Sequence, residues 1–319
     1  MYYELLIQHG SKVYQPIVSG EIQWKTQLKR QAGSLTFKVV KDSTINFTEG
    51  DAVRLKADGK NVFYGFVFQK KRDKEGIITV TAYDQLRYLN NNDTYNYSNK
   101  TATEVVQMIA KDFNLQCGTL EDTKFKIESR VEDNQTLFDI IQNALNLTLQ
   151  NKKEMYVLFD DFGKLTLKNI GNMKVGILID EDTGENFDYS SSIDGETYNK
   201  IKLVYENEKS GKREIYIAQD SSHINQWGVL QYFETIDEKT NGKAKADALL
   251  SLYNQKTRKL TIKGAFGDVR VKAGTLVAVS LNLGDVVANS FLLVDQATHS
   301  FTESFYTMNL VLRGGEFIG

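Results

Sequence analysis

Three histidines, one cysteine and several closely spaced carboxylates are the side chains of this 319-residue chain whose types could do chemistry. Nucleophilic catalysis needs a nucleophile, a base and a group that orients the base. His223 and His299 are the candidate bases. No Gly-x-Ser-x-Gly elbow accompanies them, and Cys117 lacks a recognisable flanking signature, so the two histidines read as a loop residue and a strand-end residue. Asp160 and Asp161 are a carboxylate pair of the kind a glycosidase uses. They stand beside Phe162-Gly163, however, where adjacent strand residues point to opposite faces, and they read as turn formers. The run Asp180-Glu181-Asp182-Thr183-Gly184-Glu185 invites comparison with a calcium loop, which wants Gly at its sixth position and Glu at its twelfth. Here Gly184 is fifth from Asp180, and Gly195-Glu196 does not restore the register, so a solvated acidic turn is expected. Lys70, Lys71, Arg72 and Lys74 follow the aromatic stretch Phe63 to Phe68, a combination suited to single-stranded nucleic acid. Asp73 and Glu75 interrupt that charge and the aromatics divide between both strand faces, which favours a charged hairpin tip. No phosphate-binding loop and no His-Glu-x-x-His motif is present. The residues therefore assign no catalytic, cofactor-binding or metal site, and no cofactor is expected.

Composition narrows the classes further. The 39 basic and 41 acidic side chains give a formal net charge of −2, which argues against a general nucleic-acid binder. A single cysteine excludes an intrachain disulfide framework, and three histidines make a structural metal site unexpected. Met1 leads directly into the alternating Tyr3, Leu5 and Ile7, with no basic leader, and no apolar stretch is long enough for a membrane span. The expectation is a protein made in a bacterial cytoplasm without a membrane anchor. Pro16 is the one proline beside 23 glycines, a balance that suits hairpin turns better than disordered linkers.

Periodicity divides the chain into three stretches. In 1–95 the apolar residues alternate: Ile22, Trp24 and Leu28, then Leu35, Phe37 and Val39 after Ala32-Gly33, then Val53, Leu55 and Ala57. Asp58-Gly59 is a strong hairpin signal, and Val62, Tyr64, Phe66 and Phe68 are expected on one face of the next strand. Ile77 to Tyr83 follows the turn Lys74-Glu75-Gly76. These short strands predict a small barrel or sandwich. In 96–185 the period becomes helical. Thr101-x-x-Glu104 is a capping box ahead of Val105, Val106, Ile109, Ala110 and Phe113, with Gly118 as the stop. A second helix begins near Thr136, with Leu137, Ile140, Ile141, Ala144 and Leu145 on one side. A hairpin, Met155 to Phe159 and Lys164 to Ile170, completes an α/β unit whose helices must cover a small sheet. In 186–319 strands resume: Ile201 to Tyr205, Ile215 and Ile217 beyond a Ser210-Gly211 turn, Leu276 to Leu283, Phe291 to Ala297, Met308 to Leu312. One helix is predicted near Lys243 to Asn254. The fold class is mainly β, an α+β multidomain chain in which two β-rich blocks flank the α/β unit.

Three segments carry a resemblance. In 50–102, Gly50, Asp51, Val53, Leu55, Gly59, Phe63, Gly65 and Val67 are followed by YDQLRYL (Tyr83 to Leu89), then Asp93 to Tyr95, Tyr97, Asn99, Thr101 and Ala102. The segments GDVRVKAGTLVAVSLNLGD (Gly267 to Asp285) and VDQATHSFTESFYTMNLVL (Val294 to Leu312) continue it. These resemble the XkdQ/YqbQ family of baseplate hub proteins in phage-like contractile tails. The resemblance implies two tube-like β-barrel domains, 1–95 and 186–319, around an inserted α/β domain, 96–185. It implies a homotrimeric ring that adapts a hexameric tail tube to a trimeric spike, with tube, spike and other baseplate proteins as partners and no enzymatic turnover. It fits a phage, a prophage or an R-type bacteriocin. The family often carries a second histidine where Tyr306 stands here, which tells against a metal or proton role for His299. Two other classes remain open at this point: a tail-associated cell-wall hydrolase, and a peptidoglycan- or polysaccharide-binding module.

Overall fold

A computed structural model describes residues 2–28, 30–207, 211–236, 240–284 and 286–314. Ser210 of the expected Ser210-Gly211 turn and Asp285 lie outside these described residues. Seven strands open the chain: β1 (Tyr3–His9), β2 (Lys12–Tyr14), β3 (Ile22–Gln27), β4 (Ser34–Val40), β5 (Ala52–Ala57), β6 (Lys60–Arg72) and β7 (Ile77–Tyr83). The β5–β6 hairpin turns on Asp58 (φ 46°) and Gly59 (φ 73°), both left-handed as a two-residue type I′ turn requires. Beyond it Leu55 faces Phe63 but Lys56 faces Asn61, so Val62 is an extra residue, a β-bulge. The bulge resets the alternation. Val62 and Phe63 both enter the core, and Tyr64, Phe66 and Phe68 are left half-buried on the opposite face. The expectation that Val62 shares the face of Tyr64 is corrected accordingly. The core of this block holds Leu5, Ile7, Ile22, Trp24, Phe37 and Val80.

The switch of period at Thr101 builds the α/β unit. Its elements are β8 (Asn92–Lys100), α1 (Ala102–Asp112), β9 (Cys117–Leu120), β10 (Ile127–Thr136), α2 (Leu137–Lys152), β11 (Tyr156–Asp160) and β12 (Leu165–Asn169). Thr101 accepts from the Glu104 amide at 3.2 Å, and Glu104 accepts from the Thr101 amide at 2.6 Å, so the capping box forms. The helix stops at Asn114 (φ 54°) rather than at Gly118. Asn114 and Leu115 donate back to the carbonyls of Lys111 and Ala110, a Schellman motif with asparagine in the left-handed position. Val105, Val106, Ile109, Leu137, Ile140 and Ile141 of the two helices pack on Tyr95, Tyr97, Leu165 and Leu167. The strands pair as β8–β10 and as β11–β12–β9.

Two further strands follow, β13 (Lys174–Ile179) and β14 (Asn186–Ser192), and a separate compact unit spans 189–259. That unit has β15 (Lys200–Asn207) between β16 (Lys212–Gln219) and β17 (Gln231–Ile236), with α3 (Ser221–Trp227) and α4 (Gly242–Tyr253). Ile201, Leu203 and Ala218 meet Ala246 and Leu249 in its core. The chain closes with β18 (Thr257–Phe266), β19 (Leu276–Asn282), β20 (Val287–Phe301) and β21 (Tyr306–Arg313).

Among the described residues, one sheet of 13 strands unites both ends of the chain, in the order β14-β18-β21-β20-β3-β4-β7-β6-β5-β1-β2, with β19 and β13 branching from β20. The fold is mainly β, as expected, but no described sheet closes into a barrel. The reason is the seam. Closure of the first block would require β3 to pair with that block's far edge. Instead β20 takes β3, from Ile22 opposite Phe301 to Gln27 opposite Gln296. The sheet thus runs through both the first and the third of the expected stretches, 1–95 and 186–319.

Candidate functional site at the sheet–helix junction

A connected group of polar and titratable side chains lies where β7 leaves the sheet and the α/β unit begins. Asp84 ends β7 and caps the 3-10 turn Gln85–Asn90, accepting from the Leu86 amide at 3.0 Å and the Gly33 amide at 2.9 Å. A Cβ on Gly33 would sit 2.4 Å from the Asp84 carboxylate, so a glycine is needed for this close approach. Gln85 then reaches across. Its Oε1 accepts from the Gln116 amide at 3.0 Å, and its Nε2 donates to the Gln116 carbonyl and to Asp160, both at 3.1 Å. Asp160 also accepts from the Gly163 amide at 2.6 Å, holding the β11–β12 turn. Asp161 points the other way, 3.4 Å from Lys272, whose ammonium lies 3.9 Å from the centre of the Phe159 ring.

The electrostatics follow from burial. Desolvation, and then the negative charge of Asp160, raise the Asp84 carboxyl well above the ordinary range. Burial pushes Asp160 up to about 6, against the Gly163 and Gln85 hydrogen bonds and the pull of Lys272. Burial likewise lowers Lys272, with Asp161 opposing. Two raised carboxyls side by side are the raw material of acid–base catalysis. Size decides against it: Trp24, Phe63, Asp84, Asp160 and Lys272 line a cavity of about 30 Å³. That is room for a water or two, an order of magnitude below ordinary ligand pockets. The arrangement acts as a lock. Gln85 ties the α/β unit to the sheet through the Gln116 backbone, and the Ala273 amide donates to Thr26 at 2.9 Å to fasten the loop before β19 to β3.

The residues singled out in the sequence are dispersed. His299 is fully buried on β20 and stacks on Trp24 at 4.7 Å. Its Nε2 meets the Val271 carbonyl at 2.8 Å and its Nδ1 the Tyr306 hydroxyl at 2.9 Å. A carbonyl only accepts, so Nε2 carries the proton and Tyr306 donates to Nδ1. Burial pulls this imidazole down to about 4, and it sits in the core as a neutral, doubly bonded ring. His223 stacks on Trp227 and meets Asn254 at 2.7 Å, in the capping network that Asp220 makes at α3. Cys117 lies exposed at the start of β9 with its thiol raised by partial burial, the direction opposite to an activated nucleophile. The 180–185 turn is closed on itself, Thr183 Oγ1 accepting from the Asp180 amide and Asp180 from the Asp182 amide. No group of three metal-ligating side chains occurs among the described residues. Lys70 donates to the Phe47 carbonyl at 2.6 Å and lies over the Phe47 ring, so part of the basic run is spent on packing. Sequence reasoning read Gly33 as part of a turn and gave no role to Asp84, Gln85 and Lys272. Asp84 and Gln85 stood inside YDQLRYL, but their partners are 51 and 31 residues away, beyond any local pattern.

A model of the YQBQ-like family matches residues 22–313. The chain is 32% identical to the uncharacterized protein YqbQ of Bacillus subtilis (strain 168), over 92% of this chain and 91% of that one. It is 33% identical to the phage-like element PBSX protein XkdQ of the same organism, over 82% and 81%. Its fold is that of the 43 kDa tail protein of prophage MuSo2 from Shewanella oneidensis, with a TM-score of 0.73 at 15% identity, covering 99% of this chain and all of the other. A sequence match across nearly the whole chain, on a shared fold, makes this protein a member of the YQBQ-like family.

Proposed function

We propose that the chain is a structural hub in the baseplate of a contractile phage tail or tail-like particle. Three copies would close a ring between a sixfold tail tube and a threefold spike. One observation carries the reading: the single sheet contains two strand blocks, β1–β7 and β13, β14 and β18–β21, joined edge to edge at β3 and β20. Three such chains supply six blocks, which reconciles threefold with sixfold symmetry. The sheet's terminal strands remain as edges on which a neighbouring copy can continue the ladder, and a closed ring consumes them. Phe266 and Phe305, each 74% exposed near the ends of β18 and β21, are apolar surface that an assembly contact would cover. Kinship with a phage-like element protein and a tail-protein fold support the same conclusion. In this reading the partners are the tube, the spike and other baseplate proteins, and incorporation follows synthesis in a bacterial cytoplasm. The wall-hydrolase alternative is opposed by the 30 Å³ cavity at Asp84 and Asp160. Imaging the particle tests the proposal: three copies around the axis, the two blocks alternating, are expected. A sixfold or peripheral position would defeat it, and wall hydrolysis lost on changing Asp160, Asp161 or His299 would establish an enzyme instead.

A further inference from the structure

A second cleft lies near the first, on the face of the sheet turned away from the core, and none of the contacts above uses it. Its floor is a cross-strand row: Lys25 of β3 stands opposite Ser34 of β4, and Ser34 opposite Tyr83 of β7. These positions alternate with Trp24, Leu35 and Ala82, which face the core. One wall is the 3-10 turn, whose Leu86 and Leu89 are buried and whose Arg87 and Asn90 line the cleft. The other wall is the loop after β3, with Arg30 and Gln31. The space is about 400 Å³, within the range of ligand pockets.

The charge is one-sided. Lys25, Arg30 and Arg87 line the cleft, and no acidic side chain does so among the described residues. Arg30 is partly neutralised by Asp139 of α2, 2.8 Å away. Arg87 lies over the Phe68 ring, 5.5 Å from its centre, a cation–π contact that helps to place the guanidinium. Neither Lys25 nor Arg87 forms an ion pair among the described residues. Amide groups of Gln31 and Asn90 and the Ser34 hydroxyl add neutral donors and acceptors suited to a peptide backbone.

We propose that this cleft receives an acidic segment of a partner protein, its carboxylates meeting Lys25 and Arg87. A peptide fits better than a nucleic acid. The cations converge on one pocket rather than tracking along a groove as a phosphate backbone demands, and the whole chain carries a net charge of −2. The Arg30–Asp139 pair is a carboxylate already seated at the rim. The inference goes beyond the ring reading and does not depend on how many copies assemble.

The test uses the full chain and a fluorescently labelled, blocked hexapeptide DEDTGE as the acidic probe, with NQNTGQ as its neutral counterpart, followed by anisotropy. The acidic probe is expected to bind at least about tenfold tighter than the neutral one, and to weaken as salt rises from about 0.05 to about 0.5 M. Lys25→Gln and Arg87→Gln should each weaken it several-fold, and Lys25→Arg should retain it. Lys25 points outward from its strand, so its two variants serve even where the Arg87 change disturbs folding. Equal binding of both peptides, or undiminished binding in Lys25→Gln, overturns the proposal. So does tighter binding of an oligothymidine, which would make this a nucleic-acid site, or full displacement by equimolar inorganic phosphate, which would make it a simple anion site.

Discussion

Asp160 offers the sharpest physical test of the junction. Its carboxyl is raised from 3.8 to about 6 because the folded chain buries it beside Asp84. The folded pKa exceeds the unfolded one, so the native state holds a proton that the unfolded chain has released. The stabilisation is therefore fully present below about pH 4 and is lost as pH rises through about 6. A shift of about two pH units corresponds to up to about 3 kcal/mol. Asp160→Asn removes the titration. Its carbonyl can still accept from Gly163, while its amide faces the Gln85 donor, an offset that does not vary with pH. Urea unfolding would be followed by tryptophan fluorescence in a Trp227→Phe background, leaving Trp24, which lines the cavity, as the reporter. Between about pH 4 and pH 7 the parent should lose up to about 3 kcal/mol relative to the asparagine variant. Comparing the two proteins cancels every carboxylate they share, apart from the weakened coupling to Asp84. A parent-to-variant difference that stays flat across this window would refute the claim that Asp160 is buried as an acid in the fold.

Three other outcomes follow from the packing. Gly33→Ala places a methyl 2.4 Å from the Asp84 carboxylate and should cost about 1–3 kcal/mol through the lost Gly33–Asp84 bond and overpacking; an unchanged urea midpoint would sink this account. Ile140→Asp buries an unpaired carboxylate at a fully enclosed position of α2 and should exceed about 4 kcal/mol, read as loss of the thermal transition, whereas Asn146→Asp on the exposed side should melt near the parent. Tyr306→Phe strands Nδ1 of the buried His299 and should cost about 1–3 kcal/mol, with a His299 imidazole resonance that shifts; a native melting curve would show that the bond contributes nothing.

Much of the local architecture was legible in the sequence because its causes are local. Asp58-Gly59 makes a type I′ turn since both residues tolerate left-handed backbone, and Thr101 and Glu104 cap α1 across a three-residue spacing. The apolar stripes of α1 and α2 are helical whatever they pack against. The tertiary structure decided the rest. A single bulge at Val62 reversed the expected facing of a core residue, and Asn114 ended a helix for which Gly118 was the expected stop. Nothing in the alternation of β3 or β20 says that the two pair across some 270 residues. Backbone hydrogen bonding is nearly indifferent to side-chain identity, so the choice falls to which edges remain free once each block has formed. The same holds for the junction. Asp160 reads as a turn former, and Asp84 carries no reading of its own, until the fold buries them together, and only that burial raises their carboxyls above the ordinary range.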